Sequence, residues 1–299
     1  MTKNGIILVD KESGPSSSRI VEKIKDLMKA KKVGHAGTLD PFATGVLIVL
    51  LNQGTKLSPF LMSHDKAYRA SLKLGIETDT QDLTGRIIDK KDIGSLTYEM
   101  IKRSASQFIG TIKQVPPSYS AVHYNGKRAY ELARNGIAID LQPKDVRIDY
   151  ITILSVDLPY VWFEVGCSSG TYIRTLAADL GKSLGIGAHL TSLRRIKSGP
   201  LHVDDALTLE KIAHHLSSNT IEEVIISLRN ALKGMIEVEI SNELAKKIRN
   251  GYQPNWEELS QEHISSFNPH DYLKIITGEE LVAILRKDEK GYNIIKVFT

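Results

Sequence analysis

Cysteine is nearly absent from this 299-residue chain: Cys167 stands alone, so no disulfide can close within it and no multi-thiolate metal site can form. A reducing, cytoplasmic setting is the expectation. Long hydrophobic runs are missing too, since residues 46–51 fall far short of the ~20 apolar residues that cross a bilayer. The first residues lead straight into a short apolar segment, without the h-region and cleavage site of a secretory signal. No membrane association is expected. Internal repeats and low-complexity tracts are lacking, and 41% hydrophobic with 25% charged residues argues against wholesale disorder or a fibrous architecture. The charge excess is small. With 39 Lys+Arg against 35 Asp+Glu the net charge is +4, which accommodates nucleic acid without establishing it.

What the chain does contain is clear periodicity. Its length exceeds what one core usually serves, at roughly 150 residues per domain, and implies about two domains. The run Ile6-Ile7-Leu8-Val9 reads as a buried strand, followed by turn chemistry at Ser13-Gly14-Pro15-Ser16. Ile20, Val21, Ile24, Leu27 and Met28 then recur at helical spacing, with Ser16 or Ser17 as N-cap. Lys23, Lys25, Lys29, Lys31 and Lys32 crowd the approach to the next segment, a local basic field. A loop is expected over 34–45 and a central strand over 46–51. From Tyr68 to Leu74 the pattern alternates, with Tyr68 on the apolar face. Residues 114–140 lack any sustained period and read as a long excursion with a short helix near Ala129. Strands are expected over 146–156 and 161–167, then a helical stripe of Ile173, Leu176, Ala177, Leu180 and Leu184 that places Gly170-Thr171-Tyr172 at a strand-to-helix junction. One more helix is expected over 221–232, a helix within 239–249, and strands over 272–277, 281–285 and 292–298.

The segment Val33-Gly34-His35-Ala36-Gly37-Thr38-Leu39-Asp40-Pro41-Phe42-Ala43-Thr44-Gly45-Val46-Leu47 is the most unusual in the chain. Pro41 pushes Asp40 out of the α region and the flanking glycines permit tight bends, so a carboxylate can be displayed on a stiff loop. This segment closely resembles the motif around the nucleophile of bacterial tRNA pseudouridine-55 synthases, the TruB type. The resemblance implies that Asp40 is the nucleophile in converting uridine to pseudouridine, a rearrangement that requires neither redox cofactor nor metal. A second similar segment, Ser169-Gly170-Thr171-Tyr172-Ile173-Arg174-Thr175-Leu176, implies that Arg174 pairs with Asp40 and that Tyr172 contacts the target uracil and removes its C5 proton. In Lys66-Ala67-Tyr68-Arg69 the family tyrosine that stacks on the base corresponds to Tyr68. Leu193, within Leu190-Thr191-Ser192-Leu193-Arg194-Arg195, matches the family's apolar position beside the substrate, and the resemblance implies that His35 fills the space left by the flipped nucleotide. Pattern alone reads Tyr68 and Tyr172 as core aromatics, Leu193 as core, and Arg174 as a surface arginine. No His or Cys stands at ligand spacing around His35, so its spacing gives no support to a metal role. Arg194, Arg195 and Lys197 read either as phosphate contacts or as a solvated basic turn.

Pro116-Pro117-Ser118-Tyr119-Ser120-Ala121, continued through Gly126-Lys127-Arg128-Ala129-Tyr130, resembles the insertion that closes over RNA in this family. The implied architecture is α+β, a pseudouridine synthase fold with a mixed, largely antiparallel central sheet flanked by helices and loops, plus a small β-rich PUA-like C-terminal domain. Residues 1–232 form the expected catalytic domain, with the RNA-clamping insertion at 114–140, and 233–299 the RNA-binding domain. Ala245-Lys246-Lys247-Ile248-Arg249-Asn250-Gly251 fits the latter's opening, while 256–269 reads as an insertion. Ser13-Gly14-Pro15-Ser16-Ser17 departs from the family's usual Gly-x-Thr-Ser, which is expected to affect helix entry more than chemistry. The implied partner is the T-arm stem-loop of tRNA, with no cofactor, no obligate protein partner and a monomeric state. Three rival readings are an RNA-binding or RNA-folding module without useful catalysis, a guide-dependent synthase of the related archaeal and eukaryotic type, and a metal-dependent hydrolase built on Asp10, His35 and Asp40. Composition also predicts that 114–140 exchanges its amide hydrogens faster than the central strands in the free protein; equal protection measured by mass spectrometry contradicts this.

Overall fold

The run that opens the chain is buried on both sides, and the reason is visible in how alternate residues divide. A computed structural model describes residues 3–259, 272–288 and 291–299. In strand Gly5–Lys11, Ile7 and Val9 enter one apolar cluster while Ile6 and Leu8 enter another. Strand Thr44–Leu51 divides the same way, with Leu47, Val49 and Leu51 on the first face and Val46, Ile48 and Leu50 on the second. A strand covered on both faces has no polar side to alternate with, which is why the sequence shows a continuous apolar run.

These two strands pair antiparallel and begin a mixed sheet. Ala188–Ser198 follows, parallel to Thr44–Leu51, and then Lys66–Leu74, Tyr160–Cys167, Lys144–Asp157 and Gly110–Gln114, each antiparallel to its neighbour. Helices Ser17–Met28, Tyr98–Ser106 and Ile173–Ser183 cover the first face through Ile20, Ile24, Ile101, Leu176 and Leu180. Ser16 caps the first of them, accepting from the Arg19 N–H. Among the described residues, no helix is long and apolar enough to cross a membrane.

Two expectations need correction. Residues 33–36 are a strand, Val33–Ala36, paired with Thr44–Leu51 through His35↔Val49, so the loop is shorter than expected and His35 lies outside it. The segment 221–232 breaks into a 3₁₀ turn, Ile221–Val224, and a one-turn helix, Leu228–Ala231, because Ile226 leaves the helical path to pair with Ile6. Arg194, Arg195 and Lys197, for which a solvated basic turn is one of two readings, lie in the strand Ala188–Ser198. The expected insertion at 256–269 falls largely, and the turn around 289–290 wholly, outside the described residues.

A second sheet is built from Ile236–Glu239, Tyr272–Thr277, Glu280–Asp288 and Gly291–Val297, with helix Asn242–Arg249 against it. It forms the small β-rich C-terminal domain. It is seated on the first sheet's second face: Ile276, Leu281, Ile284 and Phe298 share one cluster with Leu57, Phe60 and Leu61. Beside this contact Lys274 is only 2% exposed; its ammonium donates to the carbonyls of Arg229 and Leu232, both at 3.0 Å, and pairs with Glu237 at 2.8 Å. Truncating Ile284 to Ala removes apolar contact on the shared side and is expected to cost about 2–5 kcal/mol. Calorimetry should show one unfolding transition displaced to lower temperature, whereas two separated transitions, with only one displaced, would break the claim of a common core.

Candidate active site

Asp40 sits where the sheet forks. Strand Thr44–Leu51 gives one stretch of its edge to Arg194 and Arg195 and the next to Val33–Ala36, and the connecting loop 37–43 fills the gap between those diverging neighbours. Gly45 makes the first pairing possible. Its φ is +100° and a Cβ there would meet the Arg195 carbonyl oxygen at 2.2 Å.

Four groups hold the loop. Ser17 Oγ donates to the Leu39 carbonyl at 3.0 Å and accepts from the Leu39 N–H at 2.9 Å. The Lys11 ammonium, fully buried, donates to the carbonyls of Pro41 and Ala43 at 2.9 and 2.7 Å. Arg195 donates from Nη2 to the Gly37 carbonyl at 2.9 Å and from Nε to Val46 at 2.8 Å. The Gly14 N–H reaches the Pro41 carbonyl at 2.8 Å. Ser17 therefore bears on the Asp40 loop as well as on helix entry.

Arg174 meets Asp40 from below. It is 4% exposed, its Nε lies 2.9 Å from Asp40 Oδ2, and its Nη2 donates to Oδ1 at 3.3 Å. Its Nη1 lies 3.4 Å from Asp82 Oδ2, and Nη2 also donates to the Tyr119 carbonyl at 2.9 Å. Asp82 is in turn fixed by the Thr80 and Thr84 hydroxyls and the Thr84 N–H. One guanidinium thus serves two carboxylates. Burial and the nearby charge of Asp82 push the Asp40 carboxyl above the usual aspartate range, against the pull of Arg174 and Lys11. Lys11 itself is brought down to about 8, by burial first, with Asp40 and Glu12 opposing.

Tyr172 occupies the N-cap position of Ile173–Ser183, with φ −100° and ψ 109°, outside the helix as the two-residue spacing from Arg174 requires. Gln114 pins it, donating from Nε2 to the Tyr172 carbonyl at 3.0 Å and accepting its N–H at 2.7 Å. A cavity of about 560 Å³ opens over Asp40, with Tyr68, Tyr172, Arg174 and Leu193 in its walls. Burial pushes the phenols of both Tyr68 and Tyr172 up from their ordinary values, so each is neutral. Tyr119, Ser120, Tyr130 and Arg134 reach the cavity from the insertion, which carries its own hairpin, His123–Tyr124 with Lys127–Arg128, and the helix Ala129–Arg134.

His35 is not among the cavity-lining residues. It lies half-buried on its strand near Arg195, with Nδ1 lacking a hydrogen-bond partner, and burial and Arg195 both push its imidazole toward the neutral form. Asp10 does not join His35 and Asp40 as a ligand set: both of its oxygens receive Arg194, at 2.9 and 2.8 Å, which also removes Arg194 from the pool of free phosphate contacts. Sequence reading missed Lys11, Asp82 and Gln114. Asp82 stands in Thr80-Gln81-Asp82-Leu83-Thr84-Gly85, whose composition signals only a turn, and Gln114 opens a segment without periodicity.

The family model for “TruB family pseudouridylate synthase (N terminal domain)” matches residues 25–173, and that for “tRNA pseudouridylate synthase B C-terminal domain” matches 174–237. The chain belongs to the TruB family. It is 42% identical to tRNA pseudouridine synthase B of Syntrophus aciditrophicus (strain SB) over 95% of this chain and 91% of that one. With the Geobacter sulfurreducens protein of the same name, identity is 35% over 99% of each. Among solved structures, a chain of a Cbf5-Nop10-Gar1 complex superposes with a TM-score of 0.79 at 26% identity, covering 100% of this chain and 86% of that one. TruB membership makes the protein a pseudouridine-forming isomerase.

The shared guanidinium leads to a pH prediction. The folded protein holds the Asp40 proton more tightly than the unfolded chain does, so ionising this group subtracts stability as pH rises through its raised value. For the reaction proposed below, which uses the ionised form of Asp40, the acid limb of kcat/KM is expected above the ordinary aspartate range. Asp82→Asn removes one of the influences that raise Asp40 and should move that limb to lower pH. A charged hydrogen bond contributes about 1.5–3 kcal/mol, so turnover should also fall about 10- to 100-fold. A pH–rate profile of the variant with its acid limb unmoved would show that the two carboxylates are not coupled.

Proposed function

We propose that the protein isomerises uridine 55 in the T arm of tRNA to pseudouridine, with Asp40 as nucleophile and the target nucleotide flipped into the cavity. The observation that carries this reading is the Asp40–Arg174 pair at the base of a cavity walled by Tyr68, Tyr172 and Leu193. The curated relatives named tRNA pseudouridine synthase B align over nearly the whole chain and support tRNA as substrate.

Each wall has a chemical task. An extruded base loses its stacking in the RNA loop, and stacking on the Tyr68 ring returns about 1–3 kcal/mol of that. Leu193 closes an apolar side. Asp40, with about a third of its side chain open to the cavity, either bonds to the ribose carbon or adds to the base. Tyr172 takes the C5 proton once carbon has replaced nitrogen at the sugar. The insertion clamps the loop, and His35 supports the vacated position in the RNA from outside the cavity. Residues 1–232 are the catalytic domain and 233–299 bind RNA, as a monomer without an obligate protein partner.

A guide-dependent mode is the second reading, favoured by the Cbf5 likeness. It predicts activity only with accessory proteins and a guide RNA. The stand-alone reading predicts that the purified chain releases tritium from 5-tritiated uridine in an isolated T-arm stem-loop. Asp40→Asn should lower that release by on the order of 10⁴-fold or more while still binding the stem-loop. Retained turnover in that variant removes Asp40 from the reaction.

A further inference from the structure

Four cationic side chains line the cavity, and their charges are answered unequally. Arg174 is balanced by Asp40 and Asp82. Arg134 lies over the Tyr130 ring, 5.5 Å from its centroid, at the outer rim formed by the insertion. The remaining two, Lys66 and Arg195, form no ion pair with a carboxylate among the described residues, although Lys66 is 8% exposed and Arg195 1%. Asp65, the carboxylate adjoining Lys66 in sequence, pairs with Arg147 at 2.6 Å.

Both cations hydrogen-bond to neutral groups: Arg195 to the carbonyls of Gly37 and Val46 and to the Tyr68 side chain, and Lys66 to the carbonyls of Met62 and His64, each at 2.5 Å. Carbonyl dipoles ease desolvation but leave the charges in place. Sheet register sets Arg195 opposite Tyr68 and Ser198 opposite Lys66, so the two cations flank the tyrosine. Their proximity shows in Lys66, which burial and then Arg195 bring down to about 8. Cys167 adds no anion, because burial pushes its thiol up to about 12. Two buried like charges are costly unless something negative arrives between them.

We propose that Lys66 and Arg195 form a cationic wall that stabilises the negative charge developing on the uracil ring while it is detached from the sugar. This rests on the reaction proposed above. When the bond from C1′ to N1 breaks, its electron pair stays on the ring, spread over N1, O2 and O4, and C1′ takes its new bond from an Asp40 oxygen. The ring then turns, C5 bonds to C1′, and the carboxylate leaves with the pair it had supplied. The C5 proton departs to a base and N1 gains a proton, completing the isomer. If the carboxylate instead adds to the ring at C6, the pair displaced there moves onto the O4 side. On either route the ring becomes anionic beside these two residues. The Asp40 end cannot supply that stabilisation, since its own cations are already engaged.

The test varies the leaving base as well as the protein. T-arm stem-loops carrying uridine or 5-fluorouridine at the target are reacted in single turnover, at a pH below the N3 ionisation of both bases, and loss of the parent nucleoside is followed. Fluorine makes the departing ring a more stable anion. Lys66→Met and Arg195→Met should each slow the uridine reaction by about 100-fold, the scale of losing one preorganised donor, and the fluorouridine reaction at least about tenfold less. Stem-loop affinity should be unchanged, and Arg195→Lys should recover part of the rate. Equal slowing of both substrates overturns the proposal, as does no slowing in Lys66→Met. Weakened binding at an unchanged rate also overturns it, because the wall then holds a backbone phosphate. Should thermal melts show Arg195→Met unfolded, the rate ratio in Lys66→Met decides alone, since Met keeps the lysine stem. A wild-type protein inert toward both substrates refutes the proposed reaction itself.

Discussion

The guanidinium of Arg174 is the constraint on which the site depends. It joins four stretches of chain that are distant in sequence: its own helix, the loop at Asp40, the turn at Asp82 and the insertion at Tyr119. A buried cation with two carboxylates and carbonyl acceptors is well satisfied, and it leaves each partner with a single geometry. Asp40 is held in place while about a third of its side chain stays open to the cavity. Because the insertion's carbonyl is one of the acceptors of this cation, the placement of the insertion and the orientation of the carboxylate are mechanically linked.

That arrangement needs a stiff loop, and the sheet supplies it by changing neighbours along one edge. Thr44 and Gly45 pair with Arg194 and Arg195, while residues 48–51 pair with Val33–Ala36. The loop has no sheet partner of its own, so side chains from outside satisfy its carbonyls: Ser17, Lys11 and Arg195 each reach in from a different element. The cavity opens there. Its two sides differ in charge, balanced around Asp40 and positive around Tyr68.

The sequence revealed more of the fold and site than their polar scaffold. Strands such as Gly5–Lys11 and Thr44–Leu51 were readable because burial on both faces leaves an unbroken apolar run, and the junction at Tyr172 because the period changes there. Asp40, Arg174, Tyr68, Tyr172 and Leu193 were found through motif resemblance, and the structure brings them to one cavity. What escaped is what periodicity cannot encode. Lys11 ends an apolar strand and would ordinarily be read as its exposed terminus, yet its ammonium is turned inward against Pro41 and Ala43. Asp82 looks like turn chemistry, and Arg195 like one of a run of solvated bases. In each case a long-range polar contact decides the outcome, and such contacts leave no local signal in composition or spacing.

The C-terminal sheet obeys the same logic. Its strands were legible from alternation and turn residues, but its seating was not, because that depends on which apolar residues it shares with the first sheet. Ile276, Leu281, Ile284 and Phe298 would be core residues in an isolated domain, and here they complete a cluster begun by Ile6, Leu8 and Val46. Lys274 then adds direction to a contact that is otherwise only apolar: its buried ammonium is satisfied only where the carbonyls of Arg229 and Leu232 and the carboxylate of Glu237 converge. Apolar area alone tolerates sliding, whereas a buried cation with three fixed acceptors does not. The second sheet therefore meets the back of the strands that carry the Asp40 loop in one orientation.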